Sequence, residues 1–266
     1  MMASAKILNM DGSVMRSVEL PSAFSERVRP DLIARATLAE NSRKLQPQGH
    51  YVLAGMQTTA RYYGAMASYR TGRHMGIAIR PRQKLGGGIQ GDVRRIPSAV
   101  KGKRAHPHLI EKILTEQINA KEYQKAIRSA IAATSQQELM KGTPQTALPI
   151  IVSSNIESLK RTRDVAKVLS SLKLDWYVQH GREMTKRKGL RRLSKQRHYR
   201  KSVLIVVEKD SGLLKAARNM AGVDACSMHD ITANALAPGG QPGRLTIWSE
   251  NVLPVMDKQI EGLKLR

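Results

Sequence analysis

The chain has little of four things: cysteine, aromatic rings, acidic groups and long apolar runs. Its one cysteine, Cys226, excludes an internal disulfide and any cysteine-built zinc finger, and it fits a reducing compartment. No uncharged apolar run approaches the roughly 18 residues that a membrane helix requires. The densest, Val203-Leu204-Ile205-Val206-Val207, has the length of a buried strand. The opening residues, Met1 to Lys6, contain no apolar signal-peptide core. These absences lead us to expect a soluble cytoplasmic protein without a membrane partner. Aromatics are 4% of the residues, which gives base stacking, a common way of holding unpaired nucleotides, a secondary part. The acid shortage says most. Among 266 residues, 21 Asp+Glu face 45 Lys+Arg, for a formal net charge of +24. Like charges in such excess repel in a compact state, and no ordinary enzyme needs them. Their natural counterpart is a polyanion, of which nucleic acid is the commonest. Hydrophobic residues at 41% supply a core and exclude wholesale disorder.

The excess sits in two places. Residues 41–107 hold 13 cations (Arg43, Lys44, Arg61, Arg70, Arg73, Arg80, Arg82, Lys84, Arg94, Arg95, Lys101, Lys103 and Arg104) against one acid, Asp92, a net +12. Residues 182–201 hold ten (Arg182, Lys186, Arg187, Lys188, Arg191, Arg192, Lys195, Arg197, Arg200 and Lys201) against Glu183, a net +9. Everything else carries 22 basic and 19 acidic groups, a net +3, as in an ordinary globular protein. The first stretch is also rich in glycine, shows no regular periodicity and interleaves Tyr51, Tyr62, Tyr63 and Tyr69. Such a segment cannot offset its ordering entropy with an apolar core of its own. A solvated linker would need neither the cations nor the tyrosines. An extension that folds against RNA uses both.

The remainder alternates strand and helix. Residues 5–10 and 14–20 read as strands joined at Asp11-Gly12. Arg29-Pro30-Asp31 opens a helix with Leu32, Ile33, Ala36, Leu38 and Ala39 inward, ending near Asn41. Beyond Pro107, Ile110, Ile113, Leu114 and Ile118 share one helical face, and Tyr123, Ile127, Ala130 and Ile131 another, out of phase. We therefore expect two helices broken near Asn119. Strands follow at 148–153, 175–178, 203–207, 223–227 and 244–248, and helices at 158–172 and 211–220. The first of these helices turns Leu159, Val165, Ala166, Leu169 and Leu172 inward. Residues 230–235 make a short helical turn, and Ser249 is placed to cap a final helix. This order predicts an α/β fold: a mostly parallel sheet flanked by helices, a Rossmann-like three-layer body of residues 1–40 and 108–266. A long basic extended loop, 41–107, is inserted near the N-terminus, and a second basic loop, 182–201, lies within the body.

Several patterns imitate chemistry. Gly86-Gly87-Gly88-Ile89-Gln90-Gly91 matches G-x-G-x-x-G, and Glu111 lies 20 residues on, but no strand–turn–helix context surrounds the match. The glycines are better read as letting backbone lie against a phosphate chain. His106 and His108 are the only close histidine pair, so no metal site is expected. His229-Asp230 lacks a nucleophile and reads as a turn, and Cys226 as inert core. The rivals are a nucleotide-dependent enzyme with a basic insertion, marked by a retained nucleotide, and a DNA-packaging protein, marked by preference for DNA.

Five further runs stand in a telling order. They are Arg29-Pro30-Asp31-Leu32-Ile33-Ala34-Arg35-Ala36; Pro81-Arg82-Gln83-Lys84 leading to Gly102-Lys103-Arg104-Ala105-His106-Pro107; Ile118-Asn119-Ala120-Lys121-Glu122; 126–134; and Leu236-Ala237-Pro238-Gly239-Gly240-Gln241-Pro242-Gly243-Arg244-Leu245. Over nearly the whole chain they resemble universal large-subunit ribosomal protein four in its archaeal and eukaryotic form, and of the two branches we expect the archaeal. His108 stands where that family usually has a second proline. The resemblance implies a non-enzymatic constituent of the large ribosomal subunit, without cofactor or small-molecule substrate. It implies that the protein binds large-subunit (23S-type) rRNA early in assembly, beside neighbouring ribosomal proteins. Its loop tip would line the peptide exit tunnel and meet the nascent peptide. The residues expected to hold rRNA are Arg43, Lys44, Arg80, Arg82, Lys84, Gly86, Gly87, Gly88, Arg94, Arg95, Lys101, Lys103 and Arg104. In the second loop they are Lys186, Arg187, Lys188, Arg191, Arg192, Lys195, Arg197, Arg200 and Lys201. The tip is expected at Arg61, Tyr62, Tyr63, Tyr69, Arg70, Arg73 and His74, near the midpoint of the first stretch.

Overall fold

The computed structural model describes residues 4–64, 76–140, 142, 144, 146–183 and 199–263, and among these it has eight strands and seven α-helices. The strands are β1 (Ser4–Leu8), β2 (Val14–Glu19), β3 (Arg82–Lys84), β4 (Gln90–Val93), β5 (Ile150–Val152), β6 (Val203–Val207), β7 (Asp224–Ser227) and β8 (Leu245–Ser249). The helices are α1 (Pro30–Arg43), α2 (Ala120–Ala133), α3 (Thr162–Ser171), α4 (Asp175–Arg182), α5 (Leu213–Arg218), α6 (Ala233–Leu236) and α7 (Leu253–Gly262). Two compact units emerge: Met1–Lys44 with Thr115–Arg266, and Leu45–Leu114.

The larger unit is built on a six-stranded sheet in the order β2-β1-β5-β8-β6-β7. Only β1 and β2 pair antiparallel; the other pairings are parallel. Side chains alternate between two cores. Ile7, Ile151, Leu204, Val206 and Trp248 pack with residues of α1, α2 and α7. Ile150, Val152, Val203, Ile205, Val207 and Ile247 pack with residues of α3, α4 and α5. Helices thus cover both faces, which is why 203–207 is unbroken in its hydrophobicity. All five of its residues are buried. At about 2 kcal/mol for each buried aliphatic side chain, β6 contributes on the order of 10 kcal/mol before chain entropy is counted.

The structure corrects several sequence expectations. Residues 108–118 are not helical: Ile110 is 69% and Ile113 83% exposed, and so short a helix without packing is marginal in water. The expected break between two helices therefore does not arise; Asn119 is the N-cap residue of α2, the one of the two that forms. Residues 175–178 belong to α4, not to a strand. Lys173 takes a positive φ of 60° that closes α3, and the Ser170 hydroxyl donates to the Asp175 carboxylate (2.6 Å) in the first turn of the next helix. Leu38 faces outward, 59% exposed. Leu159 precedes α3, and Val168 is buried inside it. Pro149 has no amide to give a ladder, so β5 begins only at Ile150. Ser249 does not cap α7: its hydroxyl donates to Glu157 Oε1 (2.6 Å), and a short turn, Glu250–Val252, intervenes.

Candidate nucleic-acid interface

The smaller unit has almost no apolar core. Among its described residues, Ala60 is the only buried hydrophobic one. Backbone contact replaces side-chain packing: a Cβ added at Gly55, where φ is +77°, would lie 2.4 Å from the Gly102 carbonyl oxygen. The regular element is the antiparallel β3–β4 hairpin, which the sequence did not reveal. Gly86–Gly88 forms its turn, with Gly87 at φ +73°. The glycine run therefore sits in strand–turn–strand geometry, and no helix follows to receive a pyrophosphate. Nothing lies within 4 Å of a Cβ built at Gly86 or Gly87, so backbone there is open to a ligand.

Cations line this hairpin. Arg61 and Arg82 form an antiparallel bridge, each amide donating to the other's carbonyl (3.2 and 3.4 Å). Like charges directly opposite are destabilising unless an anion lies between them. The Arg82 Nε is buried without a hydrogen-bond partner among the described residues. Lys84 lies 4.0 Å from the centre of the Tyr63 ring and draws that phenol below its ordinary pKa. Arg80, Lys84, Lys101, Lys103 and Arg104 are exposed, as are Arg61, Tyr62 and Tyr63. Arg94 and Arg95 are half-buried and hold the unit itself: Arg94 donates to the Val100 carbonyl (2.6 Å) and the Asp92 carboxylate (3.0 Å), and Arg95 to the Ala60 carbonyl (3.2 Å). In the larger unit, Arg43 and Lys44 are exposed at the end of α1. Tyr69, Arg70, Arg73 and His74 lie outside the described residues, as do Lys186, Arg187, Lys188, Arg191, Arg192, Lys195 and Arg197.

Both ends of the second basic stretch are described, and the cations at its C-terminal end are anchored. Arg200 donates to His180 Nε2 (3.0 Å) and lies 3.4 Å from Glu183. Lys201 bonds Asp224 Oδ1 (2.7 Å), whose other oxygen takes Arg244 (2.6 Å). Arg244 is buried and also donates to the carbonyls of Ala235 and Val203. Burial pushes the Asp224 carboxyl up, but Arg244 and Lys201 outweigh it and hold the group below the usual carboxylate range.

Sequence reasoning missed Arg244, Glu40 and Glu157, because a polar side chain in an apolar run carries no sign of its partner. Glu40 is buried on α1 and accepts from the Tyr123 hydroxyl (2.7 Å) and from the amides of Ala233 (2.7 Å) and Asn234 (2.9 Å). Glu157 stands at the carboxyl ends of β5, β6 and β8, where it accepts from the Ser249 hydroxyl and, at 3.2 Å, from the Glu208 amide. An open parallel sheet binds nucleotides at that end, and here a carboxylate already bridges the strands. His229 and Asp230 lie in a turn whose Asp230 amide is held by the Ser227 hydroxyl (3.3 Å). Burial pushes the Cys226 thiol up to about 12, which leaves it inert at neutral pH. Among the described residues no cluster of His, Cys, Asp and Glu suits a metal, and no helix is long and apolar enough to cross a membrane.

Comparison with known proteins gives a concordant result. A profile of the ribosomal protein L4/L1 family matches residues 18–259. The large ribosomal subunit protein uL4 of Archaeoglobus fulgidus is 41% identical over 257 residues, covering 94% of this chain and 96% of that protein. That of Methanococcus vannielii is 39% identical over 259 residues, covering 94% and 97%. That of Methanocaldococcus jannaschii is 38% identical over 263 residues, covering 97% and 99%.

Proposed function

The chain belongs to the ribosomal protein L4/L1 family, in its archaeal branch, and from that premise we propose that it binds large-subunit rRNA through its two basic stretches. It is a structural constituent of the large ribosomal subunit, not an enzyme. The observation that carries the RNA reading is the Arg61–Arg82 bridge, two cations held on directly opposed residues. A phosphate between them removes the repulsion through charge-assisted hydrogen bonds. Around it Arg80, Lys84, Lys101, Lys103 and Arg104 meet further phosphates, and the Gly86–Gly88 turn admits the backbone closely. Such contacts read RNA by shape and charge, with few base-specific bonds.

The finer parts of the reading rest on the resemblance to the family. The Rossmann-like body supports a long basic loop, 41–107, that orders against rRNA early in subunit assembly. The tip at Arg61, Tyr62, Tyr63, Tyr69, Arg70, Arg73 and His74 lines the peptide exit tunnel, arginines on phosphates and tyrosines against bases or wall. Other large-subunit proteins are neighbours of the body. Single cysteines at positions 61–73, in a variant with Cys226 replaced, test the tip. They should crosslink to a nascent peptide stalled in the ribosome, whereas a cysteine at position 160 should not. No crosslink from any tip position removes the tunnel assignment.

A further inference from the structure

A cleft of about 580 Å³ opens in the larger unit between α4 and the 238–245 segment. It falls within the roughly 300–1,000 Å³ of small-ligand sites. Its lining concentrates a scarce resource. Of the chain's ten aromatic residues, six lie outside the 45–114 unit. Phe24, Tyr123 and Trp248 are core. Tyr177 belongs to the second core and also lines this cleft, where Trp176 and Tyr199 join it with His180, Arg200 and Lys201. Trp176 is 52% exposed, and its ring stacks on that of His180 with centroids 5.0 Å apart and planes 7° from parallel. Tyr177 is buried, and its hydroxyl has no hydrogen-bond partner among the described residues.

A parallel pair of rings beside two cations is the arrangement that holds a splayed-out base and its phosphate. We propose that the cleft takes one unpaired nucleotide of rRNA, its base extending the Trp176–His180 stack and its phosphate held by Arg200 and Lys201. This rests on the RNA-binding reading above and adds a site to it. The present partners of the two cations do not bar a phosphate. The Glu183 and Lys201 side chains are more than half exposed, and exposed ion pairs contribute little. Arg200 donates to His180 Nε2, so that nitrogen accepts and the imidazole ring is fixed in the plane that Trp176 needs.

The full-length protein, and its Trp176→Leu and Tyr199→Leu variants, should be titrated with a large-subunit rRNA transcript over a range of salt concentrations. The only other tryptophan, Trp248, is fully buried, so the emission lost in Trp176→Leu reports Trp176 alone. We expect that emission to be quenched by RNA. Trp176→Leu should weaken binding by about 5- to 150-fold, the loss of one stacked base, and Tyr199→Leu by a smaller factor in the same direction. The log–log salt slope should not change, because no phosphate contact is removed. Unquenched emission with wild-type affinity in both variants overturns the site while leaving RNA binding intact; binding that ignores salt in the wild type overturns the RNA reading itself. A photocrosslinker at position 176 in the assembled subunit should trap an RNA nucleotide. A crosslink to a ribosomal protein would assign the cleft to a protein partner and end the proposal.

Discussion

Glu40 is a buried carboxylate with three donors on it, one from α2 and two from the first amides of α6. Removing it strands all three. Glu40→Ala should lower stability by about 3 kcal/mol, whereas Tyr123→Phe, which deletes one donor and leaves the others satisfied, should cost about 1 kcal/mol. Urea unfolding followed by Trp248 emission measures both, and equal effects would mean that Glu40 does not hold α6. Asp224 gives a pH test. Its folded pKa lies below that of an unfolded aspartate, about 3.9, so its stabilising contribution is present above that value and is lost as pH falls through the depressed folded value. Asp224→Asn should therefore destabilise the protein at pH 7, and the gap in Tm between variant and wild type should close as pH falls from about 5 towards 3. A gap independent of pH would show that the Arg244–Asp224–Lys201 linkage contributes nothing through charge.

At the scale of elements, what could be read in the sequence depended on whether an element carries its own reason to form. Strand β6 did, because five consecutive aliphatic residues can only be buried on both faces. Helix α2 did, through the face of Tyr123, Ile127, Ala130 and Ile131. The 108–118 segment shows a comparable apolar periodicity, but it leaves Ile110 69% and Ile113 83% exposed, so no buried face holds a helix there. Helix α4 hid behind Trp176, Tyr177 and Val178, whose strand preference yields to the tight closure of α3 before it. The β3–β4 hairpin has no apolar alternation, and its pairing with Arg61 joins residues 21 apart in sequence. The candidate cations were legible from charge density alone; which of them face outward was not, as Arg94 and Arg95 demonstrate. The second basic stretch can be tested as a unit. Replacing Arg187, Lys188, Arg191 and Arg192 with Ala removes up to four phosphate contacts and should flatten the log–log salt slope of rRNA binding by roughly 3–4. An unchanged slope would mean that these cations face solvent in the complex.

For the whole molecule, charge and core are divided between the two units. Residues 41–107 carry a net +12, and the smaller unit buries one hydrophobic residue among those described. Most of the larger unit is nearly neutral in charge and contains both cores. Ordering a residue costs about 1–2 kcal/mol of backbone entropy, which a segment without a core cannot recover from its own contacts. Mutual repulsion of its cations adds to that cost. The deficit has to be met from outside, and RNA supplies both counter-charge and surface. The free protein should thus be stable in its larger unit and labile over 45–114. A protease of broad specificity is the right probe, because trypsin would favour the cation-rich segment whatever its structure. Cuts should fall first within 45–114 in the free protein and be suppressed when a large-subunit rRNA transcript is bound. The sheet and helices of Met1–Lys44 and Thr115–Arg266 should survive as fragments that remain associated. Resistance of 45–114 without RNA would show that backbone contacts such as Gly55 against Gly102 are sufficient, and that the segment reaches the RNA already folded.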